Sequence, residues 1–309
     1  MRIATFNLQN LRLRHPGGGD RLDGARDRDV PGDAGPAAEA LDPADRRLTA
    51  AVIGELGADV VALQEVFDAE TLDYFHDRVL LPSGVAPYPH RVCLPGNDGR
   101  GLDVAVMSRV PLRAVTSHAA LTPADLGLEP PDGFGPQPVF RRDCLAVDLG
   151  RLTLFVCHFK APWPDAKAAW PVRRLEAEAV RRIVEARFDR PDRALWLIAG
   201  DLNDPEAPGS PDRAIAPLED PFAVDLSLRM APEERWTFRD PDTGGLSLPD
   251  ALLASPRLAS LCPEAVPRVV RKGLSREAGR RAGGRLPGVG DHRPHASDHA
   301  ALVVELPAL

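Results

Sequence analysis

Short apolar runs recur along this 309-residue chain, and several stop at one polar residue beside a small or turn-forming neighbour. Runs of that length are short for helices and read as buried strands. Residues 1–8 form the first and carry Asn7 near their end. Residues 59–66 end in charge and present Glu65. Residues 102–107 read as another strand, and residues 145–149 and 152–157 as a hairpin turning at Gly150-Arg151 and leading into His158. Residues 194–199 run into Gly200-Asp201, while residues 251–254 and 300–305 adjoin Asp250 and Asp298-His299. Strand ends and the loops beside them are where such a scaffold displays chemistry.

Helical spacing appears in fewer places. Leu48, Val52, Ile53 and Leu56 predict a helix over residues 46–56, closed by Gly57. Residues 70–80 look helical. The clearest amphipathic pattern covers residues 172–188, where Leu175, Ala179 and Ile183 lie four apart and Arg and Glu cover the other face. Residues 14–45 hold Gly17-Gly18-Gly19, many Asp and Arg and few large apolar groups, and read as an irregular loop. Residues 268–294 are Gly-rich and basic. Eight Arg or Lys fall within 268–293 against Glu277 and Asp291, which fits a solvated flexible loop or a flap that brings positive charge to a phosphate-rich ligand. Trp163 and Trp170 flank a Pro-rich entry to the long helix and are expected to pack there rather than stack bases. No internal repeat is visible, and the whole of residues 1–309 reads as one domain.

Composition narrows the function classes. A hydrophobic share of 44% and a charged share of 27% are those of a soluble globular protein. No apolar window of about 18 residues exists to cross a membrane, and the first residues lack the pattern of a signal peptide, so a cytoplasmic location is expected. The four cysteines are scattered without zinc spacing and read as reduced, small hydrophobes. A net charge of −7 counts against general binding to duplex DNA, though a local basic groove is compatible with it. With no long apolar surface helix, a monomer is expected.

Taken singly, the polar strand-end residues are ordinary: Asn7 as a turn former, Glu65 as a solvated carboxylate, Asp298-His299 as a surface pair. The ordered set is not. TFNLQN (5–10), LQEV (63–66), RGLDVAVMSR (100–109), HFK (158–160), GDLND (200–204) and SDHAALVV (297–304) together resemble the endonuclease/exonuclease/phosphatase superfamily, of DNase-I-like fold, over nearly the whole chain. The resemblance implies a four-layer α/β/β/α sandwich, with two packed, mostly antiparallel sheets and outer helices. It also implies Mg²⁺- or Mn²⁺-dependent hydrolysis of a phosphate ester by water. Family substrates range from DNA to inositol phosphates and phospholipids.

The same resemblance assigns roles. Glu65 is the main metal carboxylate, Asn7 adds an amide oxygen, and Asp298 binds or positions the metal from the other side. Asp201 orients or deprotonates the water, and Asn203 holds the phosphate or the nucleophile. His299 contacts a phosphoryl oxygen, with Asp250 fixing its tautomer and charge. His158 donates a hydrogen bond or proton toward the phosphate or leaving group. Lys160, Arg100 and Arg142 become substrate contacts, with Asp103 and Asp143 flanking the cleft. Relatives usually place Tyr or His after the aspartate that matches Asp250; here it stands between Pro249 and Ala251. Whether Asp201 or His299 is the base stays open. The expected activity is that of a phosphodiesterase or nuclease. The alternatives are a phosphomonoesterase, a phospholipid or inositol-phosphate phosphoesterase, and a non-catalytic binding module on the same fold.

Overall fold

The computed structural model describes residues 1–15, 17, 19–26, 31–207, 210 and 212–309. Two six-stranded sheets form its centre. The strands of the first are β1 (Arg2–Leu11), β2 (Val60–Val66), β3 (His90–Cys93), β4 (Asp103–Ser108), β11 (Arg268–Val270) and β12 (Ala301–Glu305), in the order β11-β12-β1-β2-β4-β3. The second holds β5 (Ala114–Thr116), β6 (Cys144–Asp148), β7 (Thr153–His158), β8 (Trp196–Asp201), β9 (Val224–Asp225) and β10 (Asp250–Ala254), in the order β9-β10-β8-β7-β6-β5. Pairing is antiparallel except between β1 and β2 and between β7 and β8.

Period-two alternation sorts the side chains into layers. Ile3, Val60, Ala62, Val104, Val106, Leu154, Val156, Leu197, Ala199, Leu252 and Val304 fill the space between the sheets. The opposite face of the first sheet (Ala4, Phe6, Leu8, Val61, Leu63) packs on helices α1 (Asp42–Leu56) and α2 (Ala69–Phe75). That of the second (Phe155, Cys157, Trp196, Ile198) packs on α3 (Ala166–Arg187) through Leu175, Val180 and Ile183. The four-layer sandwich implied by the sequence is therefore the one observed. Among the described residues no helix is long and apolar enough to cross a membrane.

The same alternation places the chemistry. Asn7 follows Ile3 and Thr5 on the inner face of β1, and His158 follows Leu154 and Val156 on that of β7. Asp201 follows Leu197 and Ala199, and Asp250 precedes Leu252. Register aligns Asp201 with both His158 and Asp250. β12 runs antiparallel to β1, with Thr5 opposite Leu302, so Asp298-His299 sits beyond the end of that pairing, beside Asn7. All these residues emerge at one edge of the sandwich.

Several expectations change in detail. Helix α1 begins at Asp42 rather than Arg46, because its first turn buries Asp42, Asp45 and Arg46 instead of apolar groups. Arg293 pairs there with Asp42 at 2.9 Å and with Asp45, and Arg26 pairs with Asp42 at 3.0 Å. Within 14–45, residues 16, 18 and 27–30 lie outside the described set, while Leu13–Arg14 pairs with Arg21–Leu22. In 268–294, many cations are bound to the chain itself: Arg271 lies over the Trp236 ring, Arg285 donates to Ser275 O, and Lys272 pairs with Glu55. Helix α3 starts at Ala166, capped by Asp165, whose carboxylate accepts from the Lys167 and Ala168 amides; Pro171 lies inside it. Trp163 does not pack as expected: it is 68% exposed. All four cysteines are buried and unpaired.

Gly200 shows how closely the second sheet is fitted. Its φ of 149° suits glycine, and a Cβ there would lie 1.9 Å from Cys157 O. Backbone, unlike a side chain, cannot swing aside. Gly200→Ala is expected to destabilise the fold by at least ~2 kcal/mol, read as a lower urea midpoint; an unchanged midpoint would show that β7 and β8 can separate.

Candidate active site

Asp201 lies at the centre of the cluster. From the first sheet, Asn7 Nδ2 donates to Asp201 Oδ2 at 3.0 Å and approaches Glu65 Oε1 at 3.4 Å. The Asn203 amide donates to Asp201 Oδ1 at 2.9 Å. Two imidazoles flank the carboxylate, with His158 Nε2 and His299 Nε2 each 3.7 Å from Asp201 Oδ2. On its far side, His299 Nδ1 lies 2.9 Å from Asp250 Oδ2, which also accepts from Thr237 Oγ1 at 2.6 Å. A chain Thr237–Asp250–His299–Asp201 thus crosses the cleft floor. Thr237 carries no motif and was not visible in the sequence. It reaches Asp250 because the Phe238–Arg239 segment bridges to His299.

Their neighbours give the two buried histidines opposite characters. His158 is held well below 6.5 by burial first, then by Arg142 and His299, so it is a neutral imidazole. Its Nδ1 is buried and has no hydrogen-bond partner among the described residues. Burial also works against charge on His299, but Asp250 and Asp201 outweigh it and raise its pKa well above 6.5. Burial pushes Asp201 up to about 6, despite His299. Glu65 is raised as well, by burial and then by the neighbouring charge of Asp298.

Four residues at the site take a left-handed backbone without being glycine: Gln9, Asn10, Glu65 and Asn203, with φ of 46°, 60°, 64° and 52°. Such conformations cluster where surrounding structure over-determines them. At Glu65 the register of β2 shifts against both β1 and β4, a bulge that re-aims its side chain into the cleft. The Asn10 amide then donates to Glu65 Oε2 at 2.9 Å.

The other expected residues fall at the rim. Asn203 Nδ2 and Arg142 Nη1 both donate to Phe159 O, at 3.0 and 2.9 Å. Arg142 is buried and ion-pairs with Asp98, so its guanidinium supports the turn after His158. Arg100 shares Asp98, but its side chain is 60% exposed. Lys160 Nζ donates to Ala161 O and Trp163 O. Asp143 Oδ1 accepts from the His118 amide and Asp103 Oδ1 from the Gly96 amide, which makes both internal supports. Glu176 on α3, unmarked in the sequence, accepts the Arg141 and Lys160 amides at 2.9 and 2.7 Å.

Two groups could hold a cation. Asp201, Asp250 and His299 offer ligand atoms within 4.8 Å of one another, but Asp250 Oδ2 is already taken by Thr237 and His299. Glu65 and Asp298 are more open. Burial and then the charge of Asp298 raise Glu65, and a bound cation would offset both. Asn7 turns its Nδ2 to the carboxylates and accepts the Gln9 amide on Oδ1 at 3.0 Å.

The chain matches the sequence profile of the Endonuclease/Exonuclease/phosphatase family over residues 4–299 and belongs to that family, whose members are phosphoester hydrolases. No curated protein sequence matches it. Among solved structures it is similar to truncated TDP2 from Caenorhabditis elegans, at 15% identity and a TM-score of 0.57, covering 98% of this chain and 96% of that one. An AP endonuclease from Archaeoglobus fulgidus is similar at 17% identity and 0.57, covering 99% of both chains. Beta toxin from Staphylococcus aureus is similar at 15% and 0.59, covering 98% and 99%. At these identities the likeness is one of fold.

The raised pKa of His299 has a sign. Its ionic contribution to stability is complete below about pH 6.5 and is lost as pH rises through the higher folded value. In Asp250→Asn the His299 pKa is expected to fall, as followed by NMR titration of its ring protons, and that low-pH stability advantage should shrink. An unmoved titration would show that Asp250 does not govern the charge.

Proposed function

We propose that the chain is a divalent-metal-dependent phosphodiesterase or nuclease, in which water attacks the phosphorus. The hydrogen bonds from Thr237 and His299 to Asp250, with the His299 ring 3.7 Å from Asp201, support the reading, because a buried carboxylate and a cationic imidazole lie side by side. Asp201 orients and deprotonates the water; with its pKa near 6 it is largely ionised at neutral pH yet more basic than an ordinary aspartate. His299, held cationic, stabilises negative charge gathering on a phosphoryl oxygen. His158 is neutral, so it donates a hydrogen bond to the phosphate rather than a proton to the leaving group. Asn203 places its amide beside the same phosphate, and Arg100 reaches substrate from the rim.

Glu65 and Asp298 hold the metal, with Asn7 beside them, and their oxygen donors suit Mg²⁺ or Mn²⁺. The bound ion supplies Lewis-acid polarisation of the phosphoryl oxygen. The reading further takes residues 1–309 as one monomeric, cytoplasmic domain.

Hydrolysis of bis-p-nitrophenyl phosphate and p-nitrophenyl phosphate, with Mg²⁺, Mn²⁺ or EDTA, tests this. Diester cleavage should require metal and fall by about 10²-fold or more in His299→Ala. Cleavage of the monoester alone would move the assignment to a phosphatase. Unchanged turnover in the variant, or absence of both turnover and metal binding in the parent, would reject it.

A further inference from the structure

Gln9 is tied to more of the site than any motif assigns to it. It is buried, and its φ of 46° is unfavourable for a side chain of its size. Its backbone amide holds Asn7 Oδ1 at 3.0 Å, which turns Asn7 Nδ2 toward Asp201 and Glu65. Its carbonyl accepts from Arg46 Nη2 at 2.8 Å. Its side-chain Oε1 accepts the Asp298 amide at 3.0 Å and meets His295 Nε2 at 2.8 Å. A backbone amide can only donate, so the Asp298 bond fixes which end of the Gln9 amide is oxygen; His295 Nε2 can donate to that same oxygen, while its Nδ1 lies 2.7 Å from His292 O.

The supports of this residue are themselves buried. Arg46 donates to the backbone carbonyls of Leu8, Gln9, Asp23 and Gly24. The His295 amide donates to Asp45 Oδ1 at 3.0 Å. Helix α1 therefore braces both strand β1 and the 293–297 segment, and the two brackets close on one side-chain oxygen.

We propose that Gln9 is a positioning residue, which fixes Asp298 and Asn7 relative to each other through its side-chain oxygen and its backbone amide, with His295 holding that oxygen in place. The proposal rests on the phosphodiesterase reading for its catalytic consequence, but its structural half does not. Misplacement of groups that support a metal ligand commonly costs 10–100-fold in metal affinity or activity.

Gln9→Met keeps the length and removes the acceptor; Gln9→Glu keeps an acceptor for both donors. In the metal-free protein, the Asp298 amide should exchange with deuterium at least about 10-fold faster in Gln9→Met than in the parent, and near the parent rate in Gln9→Glu. Mn²⁺ affinity by calorimetry and kcat on the diester should fall about 10–100-fold in Gln9→Met with KM little changed, and recover in Gln9→Glu. Should Gln9→Met fail to fold, His295→Phe removes one donor while leaving Gln9 in place, and should move the same readouts in the same direction. An Asp298 amide as protected in these variants as in the parent overturns the proposal, whatever the enzyme does. Faster exchange in Gln9→Met, where the parent itself cleaves no diester, would uphold the bracket and reject the functional reading instead.

Discussion

The hydrogen bond from Asn7 to Asp201 joins the two sheets at the point where their apolar layer ends. Behind it, Val, Ile, Leu and Ala fill the inter-sheet space; in front of it lies the cleft. A carboxylate at such a boundary is poorly solvated, and it stays there only with donors to replace lost water. Asp201 has them from the first sheet and from its own loop, Asn7 and the Asn203 amide, with an imidazole 3.7 Å away on either side. The sandwich thus both creates the desolvation that perturbs this group and supplies the partners that keep it in place. The left-handed residues at Gln9, Asn10, Glu65 and Asn203 follow from the same geometry, since strands leaving a packed layer must turn sharply to face one another.

Two histidines within the same distance of one carboxylate are driven apart in charge by what lies behind them. His299 has Asp250 on its other nitrogen and becomes cationic, whereas His158 has Arg142 nearby, no partner on Nδ1 among the described residues, and stays neutral. Environments that push like groups apart commonly mark a division of roles. Asp250 therefore acts at a distance, through His299, and Thr237 acts through Asp250.

Short apolar runs made the inner strands legible, and the family resemblance of the ordered set marked the polar residues at their ends, Glu65, His158 and Asp201. Asp250 could be placed for the same reason although its flanking residues are unusual: Leu252-Leu253-Ala254 continues behind it. What could not be read were supports whose partners are backbone atoms. Arg46, Glu176 and Arg142 bind carbonyls and amides that carry no sequence signature, so Arg46 read as an ordinary helix start and Arg142 as a substrate contact. The basic stretch before Ser297 misleads in a related way. Its composition resembles a mobile positive flap, yet Arg271 and Arg293 are buried against Trp236 and against Asp42 and Asp45.

The likeness to a TDP2, an AP endonuclease and a bacterial toxin is one of fold, and a fold by itself does not name a substrate. Around the buried centre stand side chains that are not committed to it. Arg100 stands exposed beside Asp98, while Trp163 lies exposed on the turn that follows His158, its carbonyl bound by Lys160. A cation can bind a phosphate and an exposed ring can cover a planar or apolar group, and the two stand on different loops. Neither belongs to the sandwich core, so replacing either leaves the packing beneath the buried centre in place.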